Sequence, residues 1–304
     1  MKVFITGGTG FMGTYLSRKM VEQGHRVTAL IRSSRSAAKL PPGVDTVLGD
    51  PKGPGEWQKK VAGHDVVINL AGASIFTHWT RKTRQLILDS RVFTTRNLVD
   101  ALLAAGEKPL LLSASAVGYY GGREDDRILD ESTPPGTDFL GEVGVKWEAE
   151  AMRAEKGGVR VVLCRLGIVL GKDGGALPRM IPAFSNYAGS ALGSGKQWFS
   201  WIHEEDVCRI FFFAMENEAL SGPINCTAPY PVTNEEFTRT FAKVLHKPLI
   251  LPAVPRFLLR AILGEFADVI LKGQRAYPAR LLEAGFQFRF PTLREALENL
   301  LIAR

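Results

Sequence analysis

Over the first 170 residues, short apolar runs alternate with longer stretches whose apolar positions recur every three or four residues. The apolar runs at 3–6, 26–31, 46–49, 66–70, 110–113 and 160–166 predict strands. The amphipathic stretches at roughly 11–23, 84–105 and 142–155 predict helices. Strands that are apolar throughout, joined by amphipathic helices, predict a parallel sheet covered on both faces. Ligands of such sheets bind beyond the carboxyl ends of the strands.

The regular alternation stops near residue 170. Residues 171–175 (Gly-Lys-Asp-Gly-Gly) predict a loop, and 176–200 are mixed, with Pro178, Pro182 and several glycines. A helix at 207–216, a short strand, a helix starting near Thr233 and a last helix at about 293–302 follow. Pro248, Pro252 and Pro255 punctuate the tail. The second half therefore predicts a smaller C-terminal α/β lobe set over the strand ends. The expected division is a first domain over 1–170, with parts of 200–230 returning to it, and a substrate lobe over 171–304.

Residues 2–13 read KVFITGGTGFMG. A strand runs into a glycine-rich turn and then into a helix whose apolar side includes Tyr15, Leu16, Met20 and Val21. Gly7 permits a sharp turn, Gly10 lets backbone approach a pyrophosphate, and Gly13 lets the helix pack closely on the strand. Thr9, Phe11 and Met12 complete the turn. The phosphates would lie on free N–H groups at the helix N-terminus. This layout predicts a Rossmann-type doubly wound sheet that binds a dinucleotide; a purely structural tight turn is the competing explanation.

The second strand ends on Arg32, with Ser33 and Arg35 after it, where an NAD-preferring protein would usually carry an acid for the ribose 2′-hydroxyl. Guanidinium groups suit a 2′-phosphate instead, so NADP(H) is the expected cofactor. The bland alternative is a solvated basic loop. Asp50, after the third strand, suits a hydrogen bond from the adenine amine or a turn before Pro51. The fourth strand closes on Asn69, Leu70, Ala71 and Gly72, where small residues allow a close backbone approach to the cofactor or merely a tight turn.

Composition changes this picture little. The 304 residues are 45% hydrophobic and 23% charged, and the net charge of +7 is spread along the chain. No basic run interleaved with aromatics points to nucleic acid, and no apolar stretch reaches membrane-spanning length. Cys164, Cys208 and Cys226 have no paired spacing, which predicts a reducing compartment, and the first strand begins at once, which predicts no signal peptide. A cytoplasmic monomer or homodimer is the expectation. The five histidines have no metal-ligand spacing, and the run His203-Glu204-Glu205-Asp206 predicts a helix start rather than a metal site.

Candidate chemistry lies at the fifth strand's end and on the next helix. Ser113, expected to contact the cofactor, and Ser115 close the strand, and Tyr119 and Tyr120 follow. A hydroxyl of Ser115 there would donate to a substrate carbonyl. Lys146 falls one turn after Glu142, where an ordinary surface ion pair is the alternative. Trp79, Trp201 and His203 suit either a pocket lining or packing between lobes. The aromatic run 285–290 predicts core of the small lobe.

These motifs resemble the short-chain dehydrogenase/reductase superfamily in its extended form. Residues 6–13 look like its cofactor fingerprint, 69–72 like its fourth-strand motif and 113–121 like its fifth-strand serine segment. The segments Trp201-Ile202-His203, 225–229 (Asn-Cys-Thr-Ala-Pro), 232–237 and 278–291 narrow the resemblance to the atypical branch labelled "sugar-nucleotide epimerase family protein". The superfamily's catalytic pair is Tyr-x-x-x-Lys. Lys146 matches the lysine, but Glu142 stands where the tyrosine would be, as is characteristic of this branch. A carboxylate is ionised at neutral pH unless burial raises its pKa, and Lys146 acts against that.

The resemblance implies that Lys146 binds the nicotinamide ribose and that the strand ending at Leu166 runs past the nicotinamide. Glu142 is then expected to position Lys146 or a water, while Ser115, helped by Tyr119 or Tyr120, meets the substrate oxygen. The expected activity is hydride transfer on a small carbonyl or alcohol substrate, by an oxidoreductase or epimerase-like enzyme. The alternative is a non-catalytic NADP(H)-binding regulator or redox sensor.

Overall fold

A computed structural model of the chain describes residues 1–302. In its alternating half, β1 (Lys2–Thr6) leads into α1 (Phe11–Glu22), and β2 (Arg26–Ile31), β3 (Val44–Leu48) and β4 (Val66–Asn69) follow. Then come α2 (Arg81–Ala105), β5 (Leu110–Ala116), the two-residue β6 (Ile128–Leu129), α3 (Phe139–Met152) and β7 (Arg160–Leu166). The second half holds β8 (Ile168–Leu170), α4 (Leu177–Ser185), β9 (Trp198–Phe199), β10 (Trp201–His203), α5 (Glu204–Glu216) and β11 (Gly222–Cys226). It ends with β12 (Val232–Thr233), α6 (Asn234–Val244), α7 (Arg256–Leu263), α8 (Ala267–Leu271), β13 (Arg275–Ala276), α9 (Ala279–Glu283) and α10 (Leu293–Leu301).

Seven strands form one parallel sheet in the order β11-β7-β5-β4-β1-β2-β3. The chain leaves β1 toward β2 and β3, then crosses back to lay β4 on the other side of β1. That reversal opens the crevice in which doubly wound sheets hold their ligands. The expected Rossmann-type fold is the observed one.

Burial on both faces explains the unbroken apolar strands. Val3 and Ile5 of β1 join Leu16 and Met20 of α1 and Val207, Ile210 and Phe211 of α5 in one core. Phe4, pointing the opposite way, meets Trp57 and α2 residues Leu98, Val99 and Leu102 in another. A third core, with Trp201, Phe237, Phe241, Leu293 and Leu297, holds α4, α6 and α10 together.

Several boundaries differ from the sequence expectation, mostly through caps. α2 starts at Arg81 rather than 84 because Thr80 accepts from the Thr83 N–H and Thr83 returns the bond. α3 starts at Phe139 rather than 142 because Asp138 accepts from the Gly141 N–H at 2.9 Å. Inside the stretch expected to be mixed, Leu177, Ile181 and Phe184 share a helical face against the lobe core, with Pro178 in the first turn of α4. The short α7 and α8 arise in the proline-punctuated tail. The aromatic run divides between cores. Phe290 packs in the lobe, but Phe286 lies under the sheet beside Phe213 of α5, at 5.3 Å between ring centroids.

α5 begins at Glu204, three residues earlier than expected, because His203 caps it by accepting the Glu205 N–H on Nδ1 at 3.0 Å. Three acids then occupy the helix's positive end, and Asp206 accepts the N–H groups of Arg289 and Phe290, tying the tail to α5. Burial lowers the His203 pKa from 6.5 to about 4. A depressed pKa contributes stability that is complete above pH 6.5 and is lost as pH falls toward 4, up to about 3 kcal/mol. His203→Asn, which retains a capping oxygen, should flatten the stability profile across that window relative to wild type. Parallel profiles in denaturant melts from pH 7 to 4 would refute this; the buried Glu204 and Asp206, whose pKa values burial raises, titrate oppositely but in both proteins.

Candidate functional site

The three glycines of the β1–α1 turn do different work. Gly7 has φ +74°, and a Cβ there would lie 2.7 Å from the Ala71 nitrogen. A Cβ at Gly13 would lie 2.2 Å from the Gly7 carbonyl oxygen. Both are glycines because backbone is pressed against them. Gly10 is in extended conformation, and a Cβ there would meet only the Gly7 oxygen, at 3.2 Å. Its outer face is open. Gly10 caps α1 without a side chain, so the first-turn N–H groups of Phe11, Met12 and Gly13 have no intrahelical partner. Thr9 is half-buried in the turn. The 171–175 loop drapes over the Phe11 ring so closely that a Cβ at Gly171 or Gly174 would fall 2.2 Å from it.

Arg32, Ser33 and Arg35 project from the end of β2 and are exposed. Among the described residues neither arginine has an ion-pair partner. Asp50 accepts the Lys52 N–H at 3.1 Å on Oδ1, which leaves its other oxygen in solvent. Leu70 and Ala71 are half-buried behind the glycine turn, and Leu70 donates its N–H to Thr6 at 3.1 Å. Ser113 is fully buried, and its hydroxyl accepts from Asn69, which also bonds Thr6 and Thr95. The Ser113 side chain therefore braces the ends of β4 and β5 rather than facing the crevice. Leu166 ends β7, half-buried.

Gly72 accommodates a residue that the sequence did not single out. A Cβ there would lie 3.2 Å from the guanidinium carbon of Arg91. Arg91 donates to the carbonyls of Ala73 and Ile87, both at 3.0 Å, and lies 5.1 Å from the Trp147 ring. Burial lowers its pKa to about 10.

Ser115 is bound into a buried polar network. Its hydroxyl donates to Glu148 Oε1 at 2.6 Å. Arg165 from β7 grips the same carboxylate with two bonds of 2.8 Å, and both side chains are buried. Arg165 also donates to the Tyr120 hydroxyl at 3.0 Å, and that hydroxyl donates to Asn225 Oδ1 at 2.7 Å. Burial pushes the Tyr120 pKa up to about 12. The Asn225 N–H donates to Glu131, another buried carboxyl, whose pKa burial raises. Tyr120 is thus fixed in the network. Tyr119 is half-buried; its ring lies under the Arg165 guanidinium carbon at 3.6 Å and packs on Gly144, while its hydroxyl makes no hydrogen bond among the described residues.

Lys146 and Glu142 come together at 2.6 Å on the exposed face of α3. The Lys146 hydrogen bond and charge hold the Glu142 carboxyl below its usual pKa, so it is ionised at neutral pH. α3 therefore presents Glu148 inward to the Ser115 hydroxyl and the Glu142–Lys146 pair outward to solvent. Glu148, Arg165, Asn225 and Arg91 were missed. An arginine inside the apolar run 160–166 was the available signal, since a buried cation demands a counter-charge.

Residues 3–226 match the NAD dependent epimerase/dehydratase family, and residues 254–300 match a domain of unknown function, DUF1731. The chloroplastic epimerase family protein SDR39U1 homolog of Arabidopsis thaliana is 42% identical over 99% of this chain and 87% of its own length. Epimerase family protein YfhF of Bacillus subtilis is 41% identical over 100% of this chain and 99% of its own. Among solved structures, human epimerase family protein SDR39U1, crystallised with NADPH, superposes with a TM-score of 0.86 at 34% identity, covering 99% of both chains.

Proposed function

The chain belongs to the NAD dependent epimerase/dehydratase family, and from that premise we propose that it binds NADP(H) and acts by hydride transfer on a small carbonyl or alcohol substrate. The observation that carries the cofactor reading is the open face at Gly10 together with the two guanidinium groups at the end of β2, which have no ion-pair partner among the described residues. The human relative crystallised with NADPH supports it. Residues 1–170, α5 and β11 are the proposed cofactor-binding unit, and the remainder is the proposed substrate lobe. Among the described residues no helix is long and apolar enough to cross a membrane. The three cysteines are buried and unpaired, which suits the proposed cytoplasmic location.

When bound, NADP(H) supplies or accepts the hydride. The turn at Gly7, Thr9, Gly10, Phe11, Met12 and Gly13 holds its phosphates, and Arg32, Ser33 and Arg35 recognise the 2′-phosphate. Asp50, Leu70, Ala71, Gly72 and Leu166 line the rest of the path, and Lys146 holds a ribose. Glu142 keeps Lys146 in place. Ser115 can donate to a substrate only when its hydrogen leaves Glu148, so Tyr119 is the candidate hydroxyl left free to pass a proton to a substrate oxygen.

Calorimetric titration tests the cofactor. NADPH should bind at least about tenfold more tightly than NADH, the factor supplied by one charge-assisted hydrogen bond. Arg32→Asp should close most of that gap, and equal affinities in wild type would overturn the preference. Small aldehydes, ketones and quinones are then screened for NADPH oxidation. The hold of Glu148 on Ser115 and the ionised Glu142 favour one second reading, a cofactor-binding regulator. Tight NADPH binding with no turnover across the screen would decide for it.

A further inference from the structure

A cleft opens where the start of α2, the start of α3 and the turn at 264–266 meet. It has two adjoining lobes of about 320 and 250 Å³, and Trp79, Arg84, Phe139 and Glu265 line both. Glu142 lines the larger lobe, so the cleft reaches the Glu142–Lys146 pair, where the nicotinamide ribose is proposed to lie. The location makes it the natural seat for a substrate; its walls restrict which substrate.

Two walls are aromatic. The Trp79 and Phe139 rings meet edge to face with centroids 5.1 Å apart, and Phe266 lies 5.8 Å from Trp79. The charges mostly cancel. Arg84 lies over Phe139 at 4.4 Å and pairs with Glu265 at 3.0 Å, while Glu142 pairs with Lys146. In the smaller lobe, Asp138 is committed to the N–H groups of Gly141 and Gly122, and Asp268 to Arg260 and Lys272. Arg81 is different. It lines the larger lobe, has no ion-pair partner among the described residues, and no acid stands in the first turn of its helix.

We propose that this cleft binds the substrate and selects a planar, largely apolar carbonyl compound that carries one anionic group. Its ring lies against Trp79 and Phe139, and its anion pairs with Arg81. Two aromatic rings in a cleft of this volume offer a seat for one or two ligand rings, the charges beside them being paired apart from Arg81 among the described residues, and guanidinium binds carboxylate or phosphate through paired hydrogen bonds. The proposal rests on the enzymatic reading above, but its test needs no turnover.

The probes are 2-naphthoate and its neutral isostere 2-naphthamide, titrated calorimetrically into the full chain with and without NADP⁺. Naphthoate should bind about tenfold more tightly than naphthamide. Arg81→Gln, an exposed substitution, should abolish that preference while leaving naphthamide binding unchanged. Trp79→Leu should weaken both ligands. Lys82→Gln, in the same helical turn but outside the cleft lining, should preserve the preference. The proposal is overturned by equal affinities in wild type, by no binding of either probe, or by a preference that survives Arg81→Gln or is lost equally in Lys82→Gln. Failure of NADPH to bind in the separate cofactor titration would sink the enzymatic reading without altering these outcomes.

Discussion

Replacing Arg165 by methionine should cost about 3–5 kcal/mol of folding stability, because it leaves a buried carboxylate without its counter-ion. The Arg165 and Glu148 side chains are 3% and 9% exposed, and the two bonds between them are the carboxylate's main compensation for lost water. Methionine fills similar space but donates nothing. The Ser115 hydroxyl alone would then face the charge. Tyr120 would lose a donor as well. The second half of the experiment isolates the charge. Arg165→Met combined with Glu148→Leu removes both members and should recover much of the loss, since a buried pair is worth little more than the apolar residues that replace it. Urea melts measure both, provided the slope with denaturant is unchanged. A loss below about 1 kcal/mol in the single variant, or no recovery in the double, would show that Glu148 reaches water or another partner.

The same network was not legible in the sequence, although much of the fold around it was. The strands were legible because both faces of the sheet are apolar, so β1 and β4 announce themselves as apolar runs, and β2 and β7 as runs interrupted only by Thr28 and Arg165. The glycine turn was legible because its geometry is local: Gly7, Gly10 and Gly13 constrain one another across seven residues. Arg32 and Arg35 after β2 were legible because they follow directly on a recognisable strand end. Ser115 is the contrary case. Its position at a strand end was plain, but whether its hydrogen is available depends on Glu148 and Arg165, which lie 33 and 50 residues along the chain on two other elements. No periodicity records such a meeting. The caps show a milder version. Thr80, Asp138 and His203 each moved a helix start by about three residues, and the first two carry residue types that favour that position. The crossing of Phe286 into the main core has no local signal, because it depends on where β11 and α9 carry the tail.

The sharpest separation between a turn that holds the fold and a turn that holds a ligand is expected from two glycines three residues apart. Gly10→Val should abolish NADPH binding and leave the domain folded. Its backbone is extended, at φ −82°, so valine is conformationally acceptable. A Cβ at that site meets only the Gly7 oxygen, at 3.2 Å, and a shift of a few tenths of an ångström relieves the contact. The rest of the side chain projects into the open face where a pyrophosphate would lie. Gly13→Ala should do the opposite. Its Cβ would lie 2.2 Å from a backbone oxygen and 2.7 Å from the Gly8 Cα, neither of which can rotate away. Overpacking of that kind costs about 1–3 kcal/mol, and more where the neighbour is backbone. Melts with and without NADPH separate the two. At a free concentration one hundred times its Kd, the cofactor should stabilise wild type by about 2.7 kcal/mol. Gly10→Val should melt near the wild-type temperature without cofactor and gain nothing from it. Gly13→Ala should melt lower in both conditions yet keep part of the gain. If Gly10→Val is still stabilised by NADPH, the phosphates do not lie on this turn, and the open face at Gly10 has another use.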